Sequence, residues 1–410
     1  MLVWLIQRAE PTQNDSRGTH RLMRMGILSE LLSSAGHNVI WWTSDFNHYT
    51  GKHRYGRDYR SKIKKNFSIQ YLESIGYSKE NSTSLRRFLD NIFLSKRFAK
   101  LAIKEKKLPD IIFASVPTAE LAKECVKFGR KKNIPVVLDL RDLWPDVIYE
   151  IFPFYLKPFI KILFIPYCNK MSWAFENSTA ITSLTKSYLK WALGWTKFKK
   201  KRPFDCVFPM GYVNNPIAQH RINKAEKFWD NLGIYKKRKT LNVAFCGKLG
   251  KVFSGQPIID TARKINECRI PINFIICGDG DQLKDLLLQV KGLKNITFTG
   301  RIDEAHIRVL LERSDIGLVP FIDSENYIKN ISNKPAEYLS AKLPLAYSLN
   351  KGELFDIIRS KNCGFTYENN SNKLFKQLIK LQKNPNYLNE MSKNAYITYK
   401  NLLDGNKIYN

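Results

Sequence analysis

Short, almost wholly apolar runs recur along this chain, and most are followed by a loop and then by a segment with helical spacing. They are LVWLIQ at 2–7, NVIWWTS at 38–44, PDIIFAS at 109–115 and IPVVLDL at 134–140 in the first half. In the second half come TLNVAFC at 240–246, INFIIC at 272–277, NITFTG at 295–300 and SDIGLVPF at 314–321. Strands buried on both faces read as unbroken apolar runs, so this is the pattern of parallel sheets covered by helices. At the start, apolar residues recur at helical spacing from about His20 to Ala35, and Gly36 stops them. Strand, loop, helix and strand then make the first unit of a doubly wound sheet. Ligands bind such sheets at the carboxyl ends of the strands, which directs attention to the loops after each run. The first loop, Gln7 to Thr19, is no Gly-x-Gly-x-x-Gly, which disfavours a nicotinamide dinucleotide.

At 410 residues the chain is long enough for two domains, and 44% apolar residues can fill their cores. Its seven cysteines form no Cys-x-x-Cys and no Cys/His cluster. Neither a zinc site nor a disulfide frame is expected, and a reducing, cytoplasmic setting fits. The apolar opening is too short for a signal peptide and reads as a first strand. Lys and Arg number 67 against 37 Asp and Glu, a formal charge of +30. That excess suits nucleic acid, an anionic membrane face or a phosphorylated substrate, and it equally suits a lysine-rich composition with no partner behind it. No DNA- or RNA-binding motif accompanies the charge, so nucleic acid is not an expected partner.

Ser314 to Leu345 carries the clearest site. A buried strand leads through a polar loop into a helix opening at Ser332 and Asn333, with Pro335 in its first turn where a missing N–H costs nothing. A helix start after a strand offers free N–H groups and the positive dipole end to a phosphate. Lys334 adds a cation, and Glu337, one turn on, can accept hydrogen bonds from vicinal hydroxyls such as those of a ribose. A solvated lysine and a dipole-favoured carboxylate would look the same. The loop Gly247-Lys248-Leu249-Gly250-Lys251 follows the strand at 240–246. Its glycines let backbone N–H groups approach a diphosphate and its lysines neutralise it, although a plain surface turn has the same composition.

SNKPAEYLSAKLPL, following a strand of the SDIGLVP type, resembles the nucleotide-binding segment of family 4 of the retaining glycosyltransferases with the GT-B fold. Two further stretches resemble the subgroup that assembles O-antigen and capsule. One is the opening that ends in GHNVIWWTSDFNH; the other is Asp139-Leu-Arg141-Asp142-Leu-Trp-Pro. The resemblance implies an α/β fold of two Rossmann-like domains facing each other across a cleft. Residues 1–212 would bind the acceptor and 213–385 the nucleotide sugar, with a helix in 386–410 crossing back to the first domain. By the same resemblance Lys334 contacts the diphosphate and Glu337 the ribose, with Ser332 and Asn333 at the helix start. Gly247, Lys248, Gly250 and Lys251 line the diphosphate, and Arg301 lies near the base. Arg17, Gly18, Thr19, Arg141 and Asp142, with Asp139 beside them, face the sugar or the acceptor.

The implied reaction moves a sugar with retention from a UDP-sugar to a lipid-linked saccharide. Lys251 and Lys334 would stabilise the departing diphosphate, and Asp142 is the candidate base or acceptor-positioning group. No cofactor and no metal are implied, and Asp279-Gly280-Asp281 reads as a turn although Asp-x-Asp is also a metal pattern. The sequence departs from the family at Lys329, where many members have the first Glu of a Glu-x7-Glu pair; Asp323 or Glu325 could take that role. Sugar-nucleotide 2-epimerases share the fold and are the alternative activity.

The expected partners are a nucleotide sugar, a lipid-linked acceptor and an anionic membrane surface, with the protein peripheral on the inner face of the cytoplasmic membrane. VIYEIFPFYLKPFIKILFIPY at 147–167 is too rich in proline and lysine to span a bilayer. It fits a buried helix, or an apolar surface element with Lys157 and Lys161 at headgroup level. At 188–204, Trp191, Trp195 and Phe198 stand beside the run Lys199 to Arg202, a pairing that anionic lipids attract.

Overall fold

A computed structural model describes residues 1–15, 22–78, 84–235 and 239–409 of the chain. It divides into two compact units, Met1–Phe208 with Tyr409, and Pro209–Ile408.

The first unit opens with β1 (Leu2–Ile6), α1 (Arg24–Ser34), β2 (Asn38–Ser44), β3 (Phe46–Asn47) and β4 (Lys52–His53). Next come β5 (Tyr59–Lys64), β6 (Phe67–Leu72), α2 (Leu85–Ala102), β7 (Ile111–Val116), α3 (Ala119–Lys132) and β8 (Val136–Leu140). It closes with α4 (Asp146–Tyr149), α5 (Lys157–Leu163), α6 (Ile165–Asn177), β9 (Ala180–Ser183), α7 (Lys186–Gly194) and β10 (Cys206–Val207). Eight strands form one sheet in the order β10-β9-β8-β7-β1-β2-β6-β5. All neighbours are parallel except β5, which runs antiparallel to β6. Strand order reverses between β1 and β7, and the carboxyl ends there are where such folds hold ligands.

The runs are apolar throughout because both faces of the sheet are covered. Trp4 and Trp42 project to one face, where Trp4 stacks on Phe128 of α3 at 5.4 Å and Trp42 meets the ring of Phe98 of α2 edge-on at 5.3 Å. Val3, Leu5 and Trp41 form a cluster with Met25 of α1. The open edge, β5, carries Arg60, Lys62 and Lys64, and charges on an edge strand discourage pairing with another chain. Sequence spacing marks a helix from Leu85 but not β5 and β6, because β5 is a polar edge strand and the apolar run of β6 is broken by Ser68 and Gln70.

The second unit runs through α8 (Gln219–Asn231), β11 (Leu241–Cys246), α9 (Gln256–Glu267), β12 (Ile272–Cys277), α10 (Leu283–Gln289) and β13 (Ile296–Gly300). It continues with α11 (Glu304–Glu312), β14 (Ile316–Val319), α12 (Glu325–Lys329), α13 (Asn333–Ser340) and β15 (Leu345–Tyr347). After them stand α14 (Glu353–Lys361), β16 (Gly364–Thr366), α15 (Ser371–Lys383), α16 (Pro385–Leu402) and α17 (Gly405–Tyr409). Its six parallel strands take the order β13-β12-β11-β14-β15-β16, which is the 3-2-1-4-5-6 order of a dinucleotide-type Rossmann sheet. Residues 213–239, read from sequence as a connection, contain α8 instead. Trp229 of that helix is buried and donates its indole N–H to His306 O at 2.9 Å, which fixes α8 on α11. Helix α16 packs on α13, α14 and α15 of its own unit.

The aromatic contacts under the first sheet make a stability prediction. Phe98 is fully buried against Trp4, Trp42 and Phe128, so Phe98→Ala should cost about 3–5 kcal/mol in urea unfolding. A cost below about 1 kcal/mol would mean that this packing is not as described.

Candidate nucleotide and acceptor sites

At the carboxyl ends of β11, β12 and β13 three backbones lie against one another. Gly247 N–H donates to Cys277 O at 2.8 Å, Gly278 N–H to Gly300 O at 2.8 Å, and Leu249 N–H to Asp279 O at 2.9 Å. Gly278 has φ +153°, and a Cβ there would sit 1.7 Å from Gly247 O. Only glycine fits. Asp279 Oδ1 accepts from Gly280 N–H at 2.8 Å, closing a tight turn. Among the described residues no group of three or more His, Cys, Asp or Glu is placed to hold a metal ion.

Lys334 enters this place from α13. A Cβ on Gly247 would lie 2.1 Å from Lys334 Cε, so the lysine occupies the bare side of that glycine. Its ammonium stands 5.5 Å from the centre of the Phe245 ring. Lys334 is half-buried, and this burial lowers its pKa, while the nearby Glu337 pulls the other way. Glu337 is buried one turn along. Ser332 is the N-cap residue, but its side chain makes no capping bond to the first N–H groups of α13. Its hydroxyl is itself buried without a hydrogen-bond partner. Asn333 opens the helix.

Tyr338 holds the helix there, a role the sequence did not suggest. Its hydroxyl accepts the Cys246 N–H at 2.9 Å. Its ring lies where a Cβ on Gly317 would meet it at 2.5 Å, which joins α13 to β11 and β14 at once. The signal was the glycine inside the apolar run of β14, since a strand glycine often marks close approach by another group.

The remaining candidates are exposed. Lys248 lays its stem over Gly250, with Cε 3.3 Å from where a Cβ would be, and Lys251 stands out from the next turn. Arg301 is exposed directly after Gly300. Lys329 forms an ion pair with Glu325 at 2.6 Å, and Asp323 pairs with Lys351 at 2.9 Å. Both carboxylates proposed for the missing glutamate are thus engaged at the surface.

In the first unit the strand ends hold a buried ion network. Arg141 pairs with Glu10, and its Nε lies 3.1 Å from Asp139 Oδ2. Asp139 Oδ1 accepts from Thr182 Oγ1 at 2.9 Å and from Arg24 at 3.5 Å. Arg24 in turn donates to Phe208 O at 2.6 Å. Glu10 Oε2 accepts the Met25 N–H at 2.8 Å and so acts as a remote cap for α1. Burial works against the Arg141 cation, but Glu10 and then Asp139 outweigh it, and its pKa is raised. One side of Arg141 is thereby occupied, while its Nη2 is buried with no hydrogen-bond partner among the described residues.

Asp142 follows, half-buried, with the Arg141 and Arg87 guanidiniums acting on it. Burial nonetheless pushes its carboxyl up to about 6. Arg87 of α2 lies over the rings of Trp144 at 5.0 Å and Tyr77 at 5.6 Å. Sequence reasoning missed Glu10, Arg24, Arg87 and Tyr77: Glu10 and Tyr77 lie in loops, and Arg24 and Arg87 in the first turns of helices, where a charged residue is ordinary. Arg17, Gly18 and Thr19 lie outside the described residues.

Residues 240–384 match the family model described as Glycosyl transferases group 1. No curated protein matches the chain in sequence. Sucrose-phosphate synthase from Thermosynechococcus elongatus is similar in structure, at 14% identity and TM-score 0.73, over 100% of this chain and 96% of that one. HepE from Anabaena, in complex with UDP and glucose, is similar at 12% identity and TM-score 0.64, over 100% and 97%. An α,α-trehalose-phosphate synthase (UDP-forming) from Burkholderia vietnamiensis is similar at 11% identity and TM-score 0.65, over 100% and 97%. Likeness at such identities is likeness of fold: the two Rossmann-like units have the GT-B architecture.

Asp142 yields a prediction about pH. Its folded pKa of about 6 lies above the unfolded value near 3.9. The folded state therefore holds this proton more tightly, and stability falls as pH rises through that window. Asp142→Asn removes the effect. Its stability relative to the parent should improve from pH 4 to pH 7 in denaturant titrations, and a difference that does not change with pH would refute the shift.

Proposed function

We propose that the chain is a retaining glycosyltransferase that moves a sugar from a UDP-sugar to a lipid-linked saccharide. The acceptor belongs to bacterial surface polysaccharide, O-antigen or capsule, assembled at the inner face of the cytoplasmic membrane. The observation that carries the reading is Lys334 lying on the bare face of Gly247, beside the uncapped start of α13 and the buried Glu337. Backbone N–H groups, a dipole end and a cation together suit a diphosphate. A carboxylate one turn away suits a ribose. The family model over residues 240–384 supports a sugar-transfer reading of this half, and HepE, whose fold is similar, carries UDP and glucose.

In the proposed reaction the bond between the anomeric carbon and the diphosphate oxygen breaks, and the acceptor hydroxyl oxygen bonds to that carbon on the same face. The hydroxyl proton passes to the departing diphosphate, so UDP leaves and no dedicated base is demanded. Lys334, Lys251 and Lys248, with the helix start, stabilise the growing negative charge, the kind of preorganised electrostatics that dominates such steps. Arg301 is assigned to the base. Asp142, in the first unit, is assigned to orienting the acceptor hydroxyl, with Arg141 Nη2 as a donor to the acceptor saccharide.

Calorimetric titration with UDP tests the donor site. Lys334→Ala and Glu337→Ala should each weaken UDP by about 1–3 kcal/mol, the usual cost of a lost charge-assisted hydrogen bond. Unchanged affinity in both variants would remove the nucleotide from this helix. Transfer should also persist in excess EDTA, because lysines and a helix start fill the cation's role. Loss of activity that manganese restores would make Asp279 and Asp281 ligands.

A further inference from the structure

Exposed apolar side chains gather in one part of the first unit. Phe154 is 81% exposed, Phe159 67% and Leu163 73%, with Ile151, Tyr155 and Ile162 exposed beside them. Helix α5 has no buried residue at all. The element is tethered from below by Phe164, whose ring meets Phe88 at 5.4 Å, Tyr149 at 5.7 Å and Tyr167 at 6.0 Å. Phe152 and Ile160 are half-buried like Phe164, and the other apolar residues of 151–165 are exposed. From 151 to 166 there is no acidic residue, and the only charges are Lys157 and Lys161.

Patches of this size mark an interaction surface. Charge decides the occupant: two copies of a chain with formal charge +30 repel, whereas an anionic bilayer attracts. The basic segment after α7 reinforces this. Trp191 of α7 donates its indole N–H to Asp146 at 2.6 Å, which ties α7 to α4, the helix just before the apolar element. Lys197, Lys199, Lys200 and Lys201, beyond α7, are exposed. Two expectations from sequence change here. Arg202 is held by Asp205 at 3.0 Å and also donates to Phe175 O at 3.3 Å, and Trp191 packs on Trp195 at 5.4 Å. These residues hold the fold together, and the apolar contact falls to residues 151–165.

We propose that residues 151–165 are a membrane-insertion element that seats the first unit on an anionic bilayer, apolar side chains inward and Lys157 and Lys161 at the headgroups. This rests on the acceptor reading above and adds the element that makes the contact. An interfacial helix of this kind buries its apolar face about 5–10 Å into the headgroup boundary.

The test is co-sedimentation of the full chain, at physiological salt, with vesicles of phosphatidylcholine alone or mixed equally with phosphatidylglycerol. The parent should bind the mixed vesicles and bind phosphatidylcholine weakly. Changing Phe154→Ser, Phe159→Ser, Ile162→Ser and Leu163→Ser together removes only exposed side chains, so circular dichroism and UDP affinity should match the parent. Binding to the mixed vesicles should fall about 100-fold. Lys157→Ser with Lys161→Ser should lower it by roughly 10-fold, and only where phosphatidylglycerol is present. The proposal is overturned if the parent ignores both vesicles or the four-residue variant binds like the parent. It is also overturned if that variant turns a dimer into a monomer with vesicle binding intact, which would give the face to a second copy. UDP titration of the same samples separates the two readings. Vesicle binding without UDP affinity sinks the donor assignment, and UDP affinity without vesicle binding sinks this one.

Discussion

The second unit depends on one hydrogen bond, from the Cys246 N–H to the hydroxyl of Tyr338. That N–H lies at the end of β11, where the sheet's own ladder runs out and a buried donor needs a partner. By accepting it, Tyr338 sets the distance and rotation of α13 against the strand. Lys334, one helical turn back from Tyr338, then reaches the bare side of Gly247. Glycine at 247 and at 317 makes room on both sides. An alanine at 317 would meet the Tyr338 ring close to the helix backbone, whereas one at 247 would meet chiefly the flexible end of Lys334.

In the first unit the equivalent constraint is electrostatic. Glu10, Arg141, Asp139 and Arg24 are all buried and joined in sequence from β1's loop through β8 to α1. Two carboxylates and two guanidiniums balance, which is the condition under which buried charges are tolerated. Removing one partner would leave an uncompensated ion, so the network fixes the loops it links. Asp142 stands next to it and is tuned by it. Its carboxyl is raised because burial exceeds the help from Arg141 and Arg87.

Much of this was legible in the sequence. The apolar runs located the central strands, and the Gly247 loop and the helix at Asn333 stand where they were read. What was not legible is contact between residues far apart in the chain. Glu10 and Arg141 are 131 residues apart, and Cys246 and Tyr338 are 92 apart. Neither pairing has a local signature, because each exists only once the strand order is known. The segment from Ile151 is a different case. Its composition fitted both a buried helix and a surface element, since periodicity alone does not say which side a core lies on. Only the fold decides, and it leaves that helix without a core.

In the proposed donor site, the state of Lys334 is a reason for an anion to be favoured over water. Burial lowers its pKa, so the protein holds the cation in a place that weakens it, and Glu337 offsets only part of the effect. The N-cap of α13 adds to this, since the Ser332 side chain makes no capping bond to the first N–H groups of the helix. Both costs are met when the chain folds, before any ligand arrives. On the proposed donor reading, an incoming diphosphate would meet charges and dipoles already in position and have little reorganisation to drive. The close approach at Gly278 holds the Gly247 backbone, on whose bare side Lys334 lies, against the end of β12. The tight turn, the tyrosine tether and the half-buried lysine are thus parts of one arrangement, in which, on the proposed reading, packing would hold a cation and a helix start ready for a phosphate.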